Sequence, residues 1–354
     1  MGFEYLTNVP LEQARREYLE LLEHQGFEPQ IQVIPVYESC GRVTAEAVYA
    51  HICAPHYTAS AMDGVAVCAR DTFGATETTP VTLHPEQFTV LDTGDPVPEG
   101  RDAVIMVEDL VKNEDGSITI HAAAAPWQHI RQIGEDVCAG EMILPGHMTV
   151  TPAAIGAMIA GGVLELRVIR RPVVGIIPTG DEIISPCTDP RPGDILEFNG
   201  SIFSAMVRQW GAEPVVYPIV PDDFDRIKAM VEKASDQCDM VILNAGSSAG
   251  REDFSAQVIR QLGQVLYHGI AIKPGKPAIL GCRGKTAILG VPGYPVSCII
   301  VIEQFLKPLI EHWLKTAAQP EHYAQATLTR PVVSGLKYQE FVRVRMGAVG
   351  GRLM

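Results

Sequence analysis

At 354 residues, 47% hydrophobic and 20% charged, the chain exceeds one ordinary core and has the composition of a globular protein of roughly two to four domains. Its formal net charge of −14 disfavours nucleic acid or an anionic membrane as main partner, since both would repel it beyond any local basic patch. The eight cysteines include no C-x-x-C pair, which argues against a zinc site or a disulfide scaffold and for reduced thiols.

No basic, apolar leader opens the chain and no apolar run approaches a membrane span, so a cytoplasmic protein with no membrane partner is expected. Residues 9–25 predict an amphipathic helix: Asn8 can cap it, Pro10 sits in its first turn, Leu11, Ala14, Tyr18 and Leu21 form one stripe, and Gly26 ends it. Such a helix should dock on another element. Residues 31–48 read as strand material, and 50–140 as short β segments broken by Gly, Pro and Asp, an inserted β-domain. A small-residue helix, TPAAIGAMIAGG, then leads into a strand at 163–169.

From there the pattern changes. Apolar runs at 172–178, 214–220, 239–244 and 286–291 alternate with helical patterns near 200–211, 223–236, 254–263 and 294–315, which predicts a doubly wound α/β domain. Ligands of such sheets sit outside the carboxyl ends of the strands. There the sequence places TGDE at 179–182, PDD at 221–223 and the stretch DMVILNAGSSAGREDF at 239–254. In the last of these, Gly246 and Gly250 can take positive φ around a bound group, and the following acids can hold a metal or activate water. Residues from about 318 read as β again, with Val342, Val344 and Met346 alternating with Arg343 and Arg345; that piece ends after few strands and reads as incomplete.

Five stretches carry chemistry. Ser60-Ala61-Met62-Asp63-Gly64 and Thr93-Gly94-Asp95-Pro96 are each ordinary turns if taken alone, and the Arg131 to Asp136 segment, RQIGED, can be a surface charge cluster. Thr179-Gly180-Asp181-Glu182 leaves a buried strand with acids poised for a metal or a ligand donor, or else to cap the next segment. Lys273-Pro274-Gly275-Lys276-Pro277 presents two cations on a rigid turn, suited to an oxyanion or simply solvated.

In combination and order, SAMDG, TGxP, GED, TGDE, the AG-rich loop with its DF, KPGKP and PGxPVS resemble the molybdopterin molybdenumtransferase family, the MoeA or gephyrin E-domain type of molybdenum insertase. The resemblance runs from the first helix to at least Arg345. It implies an elongated α+β domain from 1–49 and 141–170, an inserted β-domain at 50–140, a molybdopterin-binding α/β domain at 171–317 and a partial C-terminal β-domain at 318–354. It implies insertion of molybdenum from molybdate into adenylylated molybdopterin with release of AMP, in a Mg²⁺-dependent reaction. Carried over residue by residue, Asp63, Glu182 and Asp253 are catalytic, and Asp181, Glu182 and Asp253 hold the metal. Thr93, Glu135, Asp136, Gly246, Ser247, Gly250, Pro292 and Pro295 bind the cofactor, and Lys273, Lys276, Ser297 and Arg343 bind molybdate. Two stretches depart from the family pattern: Gly293-Tyr294-Pro295 replaces Gly-Asn-Pro, where Tyr294 can stack on a pterin or narrow the pocket, and AGSSAG replaces GGVSVG at 245–250.

The resemblance further implies a homodimer, with the pathway's molybdopterin adenylyltransferase and the molybdoenzymes as partners. A two-fold interface would let the Asp63, Thr93 and Asp136 region of one chain serve the Asp181, Glu182 and Asp253 loops of the other. Alternatives are a tungsten-selective insertase, the pathway's adenylyltransferase, which lacks the 50–140 insertion, and a non-catalytic cofactor-binding scaffold. Metal competition, the insertion itself and a turnover assay separate them.

Overall fold

The structure, a computed structural model, describes residues 8–244, 254–316, 324–350 and 352–353. The chain forms two compact units, Val33–Val168 and a second made of the segments before and after it. In the second unit, helix α1 (Leu11–His24) buries Leu11, Ala14, Tyr18 and Leu22 along one stripe. The expected stripe ended at Leu21, which is only half-buried; the winding of a 3.6-residue helix brings Leu22 under Tyr18 instead. Asn8 does not cap this helix. Pro10 holds the N-cap position without a side-chain bond, and Asn8 lies exposed at φ 51°. Gly26 at φ 84° closes the other end, as expected.

The sheet on which α1 docks has six strands: β1 (Val173–Pro178), β2 (Glu213–Val216), β3 (Met240–Asn244), β4 (Gln264–His268), β5 (Ile279–Arg283) and β6 (Thr286–Val291). Their order is β2-β1-β3-β6-β5-β4, the first four parallel and β5 antiparallel to both its neighbours β6 and β4. All of β3 and β6 is buried, as the continuous apolar runs require of a strand covered on both faces. The hairpin edge formed by β5 and β4 is not visible in the periodicity, because Gly281 and Gly263 interrupt its apolar pattern.

Helices α2 (Asn199–Gln209), α3 (Phe224–Gln237) and α4 (Phe254–Leu262) follow β strands in the doubly wound manner. Asp223 starts α3 by accepting a bond from Arg226 N at 2.9 Å. On one face Ile227, Val231 and Ala234 of α3 and Val258 and Ile259 of α4 share a core with Ile177, Val241, Leu243 and Ile288. On α1, the Tyr18 hydroxyl lies 2.8 Å from Gly281 O and 3.1 Å from Ile288 O, and its ring is fully buried. After β6, helix α5 (Pro295–Val301) continues through a π turn, Ile302–Leu306, into α6 (Lys307–Leu314).

Beyond α6, Gln339–Glu340 adds a short parallel ladder to Ile272–Lys273, and Ala348–Val349 pairs with Arg352–Leu353. The expected strand at 342–346 is absent: these residues are irregular, with Val344 60% and Met346 64% exposed. An alternating pattern becomes a strand only when a partner ladder and a covering face exist, and here neither is present among the described residues.

The Val33–Val168 unit has three hydrophobic clusters, one of them a small one formed by Ala66, Leu91, Val104 and Ile130. Two three-stranded antiparallel sheets, Phe88–Leu91 with Gly64–Val67 and Ala103–Met106, and Val81–Leu83 with Ile118–Ile120 and Leu110–Lys112, enclose Val65, Val67, Leu83, Ile105, Ile118 and Ile120. Helix Pro152–Ala160, capped by Thr151 Oγ1 accepting from Ala154 N at 3.2 Å, packs Met158 against Val36, Val48, Leu166 and Val168. Among the described residues no helix is long and apolar enough to cross a membrane.

Candidate functional site

The parallel strands β1, β3 and β6 end together, and buried amide groups tie their ends. Thr179 donates from both its N–H, at 2.9 Å, and its hydroxyl, at 3.2 Å, to Asn244 O. Asn244 Nδ2 donates to Pro292 O at 3.1 Å, while its Oδ1 accepts from Asn199 Nδ2 at 3.0 Å. Asn199 Nδ2 also reaches Gly293 O at 2.9 Å. Asn199 and Asn244 are buried, so every one of these bonds compensates a desolvated polar group. Neither residue was singled out from the sequence; the signal was available, since an Asn closing an apolar strand must find partners there.

On this frame stand the acids. Gly180, at φ 145°, turns the chain so that Asp181 and Glu182 follow β1 directly, and Asp181 Oδ1 accepts a bond from Asp222 N at 3.1 Å rather than capping a helix. Burial, then the charges of Asp181 and Glu182, push the Asp222 carboxyl above its ordinary range. Asp181, Glu182 and Asp222 thus stand close enough to repel one another, an arrangement a bound cation would relieve. Among the described residues no group of three His, Cys, Asp or Glu is arranged to hold a metal ion. Gly246, Ser247, Gly250 and Asp253, expected in the same loop cluster, lie outside the described residues.

Pro292 and Pro295 flank Gly293 and Tyr294 at the end of β6, with the Tyr294 ring 72% exposed and free to contact a ligand. The lysine turn comes to the same helix start. Gly275 sits at φ 107°, where a Cβ would lie 2.9 Å from Val301 Cγ2 and 3.4 Å from Ser297 O, so Lys273, Lys276 and Ser297 belong to one neighbourhood. Lys273 Nζ lies 3.4 Å from Glu340 Oε1 and is 70% exposed, a loose pair that leaves its charge available. Lys276 Nζ stands over the Tyr338 ring at 5.5 Å. Arg343 lies in the irregular exposed segment three residues past Glu340.

Within the Val33–Val168 unit three motifs distant in sequence converge. Thr93 donates from its N–H and its hydroxyl to the same oxygen, Asp63 Oδ1, at 2.6 Å each, and these two bonds, the hydroxyl's first, hold the Asp63 carboxyl below its usual range. Gly64 is required by close approach, because a Cβ there would fall 1.9 Å from Ile105 O. Ser60 pairs with Ile130 and Ala59 with Arg131, which brings the GED turn beside SAMDG. Arg131 bonds Asp136 Oδ1 at 2.5 Å and lies 3.6 Å from Glu135 Oε1, an exposed charge cluster of its own. A cavity of about 330 Å³ adjoins Asp63, walled by Val65, Phe88, Leu91, Leu110 and Ile118.

Residues 9–162 match the MoeA N-terminal region (domain I and II), and residues 175–312 match a probable molybdopterin binding domain. The chain is 32% identical over 355 residues to the molybdopterin molybdenumtransferase of Haemophilus influenzae, covering 94% of this chain and 85% of that protein. Molybdopterin molybdenumtransferase 2 of Mycobacterium tuberculosis is 33% identical, with 91% and 84% covered. A solved structure of a molybdopterin biosynthesis MoeA protein from Pyrococcus horikoshii OT3 superposes with a TM-score of 0.72 at 29% identity, covering 98% of this chain and 89% of that one.

Proposed function

The chain belongs to the molybdopterin molybdenumtransferase family and is an enzyme of molybdenum cofactor biosynthesis, and from that premise we propose that it inserts molybdenum from molybdate into adenylylated molybdopterin and releases AMP. The observation that carries this reading is the gathering of Asp181, Glu182, Pro292 and Pro295 on the Asn199–Asn244 frame, at the strand ends where an α/β sheet binds its ligand.

Asp181, Glu182 and Asp253 are the oxygen donors that would hold Mg²⁺, whose chemistry is to neutralise a pyrophosphate. The charge pressing on Asp222 supports the fit, since Mg²⁺ is usually bound by one or two carboxylates together with substrate phosphates. In this reading Glu182, half-buried beside Gly180, takes a proton from the water that attacks the phosphoanhydride, and the resemblance alone gives Asp253 the task of orienting that water. Lys273 and Lys276, with the Ser297 hydroxyl, suit a doubly charged oxyanion, and Arg343 is a fourth molybdate ligand carried by the resemblance alone. Pro292 and Pro295 would contact the cofactor at the strand ends, and the resemblance alone adds Gly246, Ser247, Gly250, Asp63, Thr93, Glu135 and Asp136 to its binding residues.

The proposed working form is a cytoplasmic homodimer that takes its substrate from an adenylyltransferase and passes its product to molybdoenzymes. The test is transfer of product. Protein incubated with adenylylated molybdopterin, Mg²⁺ and molybdate should activate an apo-molybdoenzyme, and a Glu182→Ala variant should not. Equal activation by a folded Glu182→Ala variant would overturn the role given to these strand ends.

A further inference from the structure

In the Val33–Val168 unit, two segments run antiparallel beside the GED turn. Ala54 N donates to Val137 O at 2.8 Å and Val137 N to Ala54 O at 3.2 Å, so Ala54 and Val137 form a hydrogen-bonded pair. Farther along, Ala50 O accepts from Gly140 N at 2.8 Å and Ala50 N donates to Glu141 O at 2.9 Å, a bulge that keeps the two segments side by side. Between these, Cys53 stands opposite Cys138 at a non-hydrogen-bonded position. Residues so opposed have Cα atoms about 4.5 Å apart, inside the range of roughly 4.4–6.8 Å that a disulfide spans.

The side chains agree with the register. A Cβ on Gly134 would lie 2.8 Å from Cys138 Sγ and 3.6 Å from Cys53 Sγ, so both sulfurs face the same small residue. Cys138 Sγ–H donates to Gly134 O at 3.4 Å, and Cys53 Sγ accepts from Ala139 N at 3.3 Å. Both thiols are free, Cys138 exposed and Cys53 partly so, whereas Cys238, Cys282 and Cys298 are buried and their thiols are pushed up by burial.

We propose that Cys53 and Cys138 are a reversible redox couple, closed to a disulfide by a peroxide-class oxidant and reopened by thiol reductants. The exposed Cys138 thiolate attacks a peroxide oxygen, the O–O bond breaks, and hydroxide leaves to take up the thiol's proton as water. The Cys53 thiolate then attacks the resulting sulfenic sulfur; the S–S bond forms, the S–O bond breaks, and a second water leaves. Two thiols and one hydrogen peroxide thus give one disulfide and two waters, and two reductant thiols reverse it.

Closure takes the Cys138 sulfur off the Gly134 carbonyl. Gly134 N is held on Pro55 O at 2.9 Å and Asp136 N on Ala54 O at 2.9 Å, so the tie acts on the turn that carries Glu135 and Asp136. An effect on turnover follows only through the role proposed above for those two acids; the couple itself stands on the geometry.

The experiment doses the reduced full-length protein with hydrogen peroxide, blocks remaining thiols by alkylation, and maps the digest by mass. Expected at the lowest dose that consumes any thiol is a Cys53–Cys138 cross-linked peptide, two hydrogens lighter than the reduced pair and restored by dithiothreitol, with Cys40 and Cys187 still alkylated. In Cys53→Ser, Cys138 should instead persist as a sulfenic acid that dimedone traps. Recovery of both cysteines alkylated, their separate conversion to sulfinic acids, or their linkage to a second chain overturns the couple. If the mapped disulfide forms and turnover is the same before and after, the coupling to the GED turn is overturned.

Discussion

Asp63 receives two bonds from one residue, and the sign of the resulting pH dependence is fixed. A carboxylate held below its ordinary value of 3.8 by the Thr93 hydroxyl and N–H contributes order that is fully present above that value and is lost only as pH falls through the lowered one. The Thr93 amide resonance should therefore keep its hydrogen-bonded position down through the ordinary aspartate range. In Thr93→Val the Asp63 carboxyl should titrate higher, by NMR; an unchanged titration would show that the hydroxyl does not set it. The lysines make a second residue-scale prediction. Lys273→Ala or Lys276→Ala should raise the molybdate requirement by roughly tenfold to a hundredfold, the effect of losing a hydrogen bond to a charged group, with little change in the cofactor requirement. Equal weakening of both requirements would move these lysines to the pterin phosphate.

Among the elements, α1 shows how far periodicity reaches. The spacing of Leu11, Ala14 and Tyr18 announces a helix with one apolar face, but nothing local says that the face meets β5 and β6. Tyr18→Phe should lower stability by about 1–3 kcal/mol, because a buried hydroxyl that satisfies Gly281 and Ile288 carbonyls is removed; the urea midpoint should fall with an unchanged slope. A midpoint equal to the parent's would mean that water replaces the hydroxyl. The four parallel strands were legible as short apolar runs, continuous in the buried β3 and β6 and readable even in β2, which is mostly exposed. The β5 and β4 pair was not, since glycines and polar residues mix into their apolar runs. The 342–346 alternation misled for the converse reason, a strand pattern without a ladder to join. Of the site, charged motif residues could be read from their types, whereas the Asn199–Asn244 frame could be found only from the requirement that buried amides be paired.

For the whole molecule, the proposed homodimer makes subunit mixing diagnostic. Asp63→Ala and Asp253→Ala dimers should each lose turnover by orders of magnitude, while a mixed dimer would hold one site with both lesions and one with neither. Activity should return on exchange between differently tagged subunits. Mixed dimers that form and stay inactive would mean that each chain supplies both residues to its own site. The most direct measurement of the central claim is AMP release. Purified protein with adenylylated molybdopterin and Mg²⁺ should release AMP slowly or not at all until molybdate is added, and then in step with molybdenum bound to the dithiolene. AMP release that is indifferent to molybdate, or molybdenum uptake without AMP, would contradict the account.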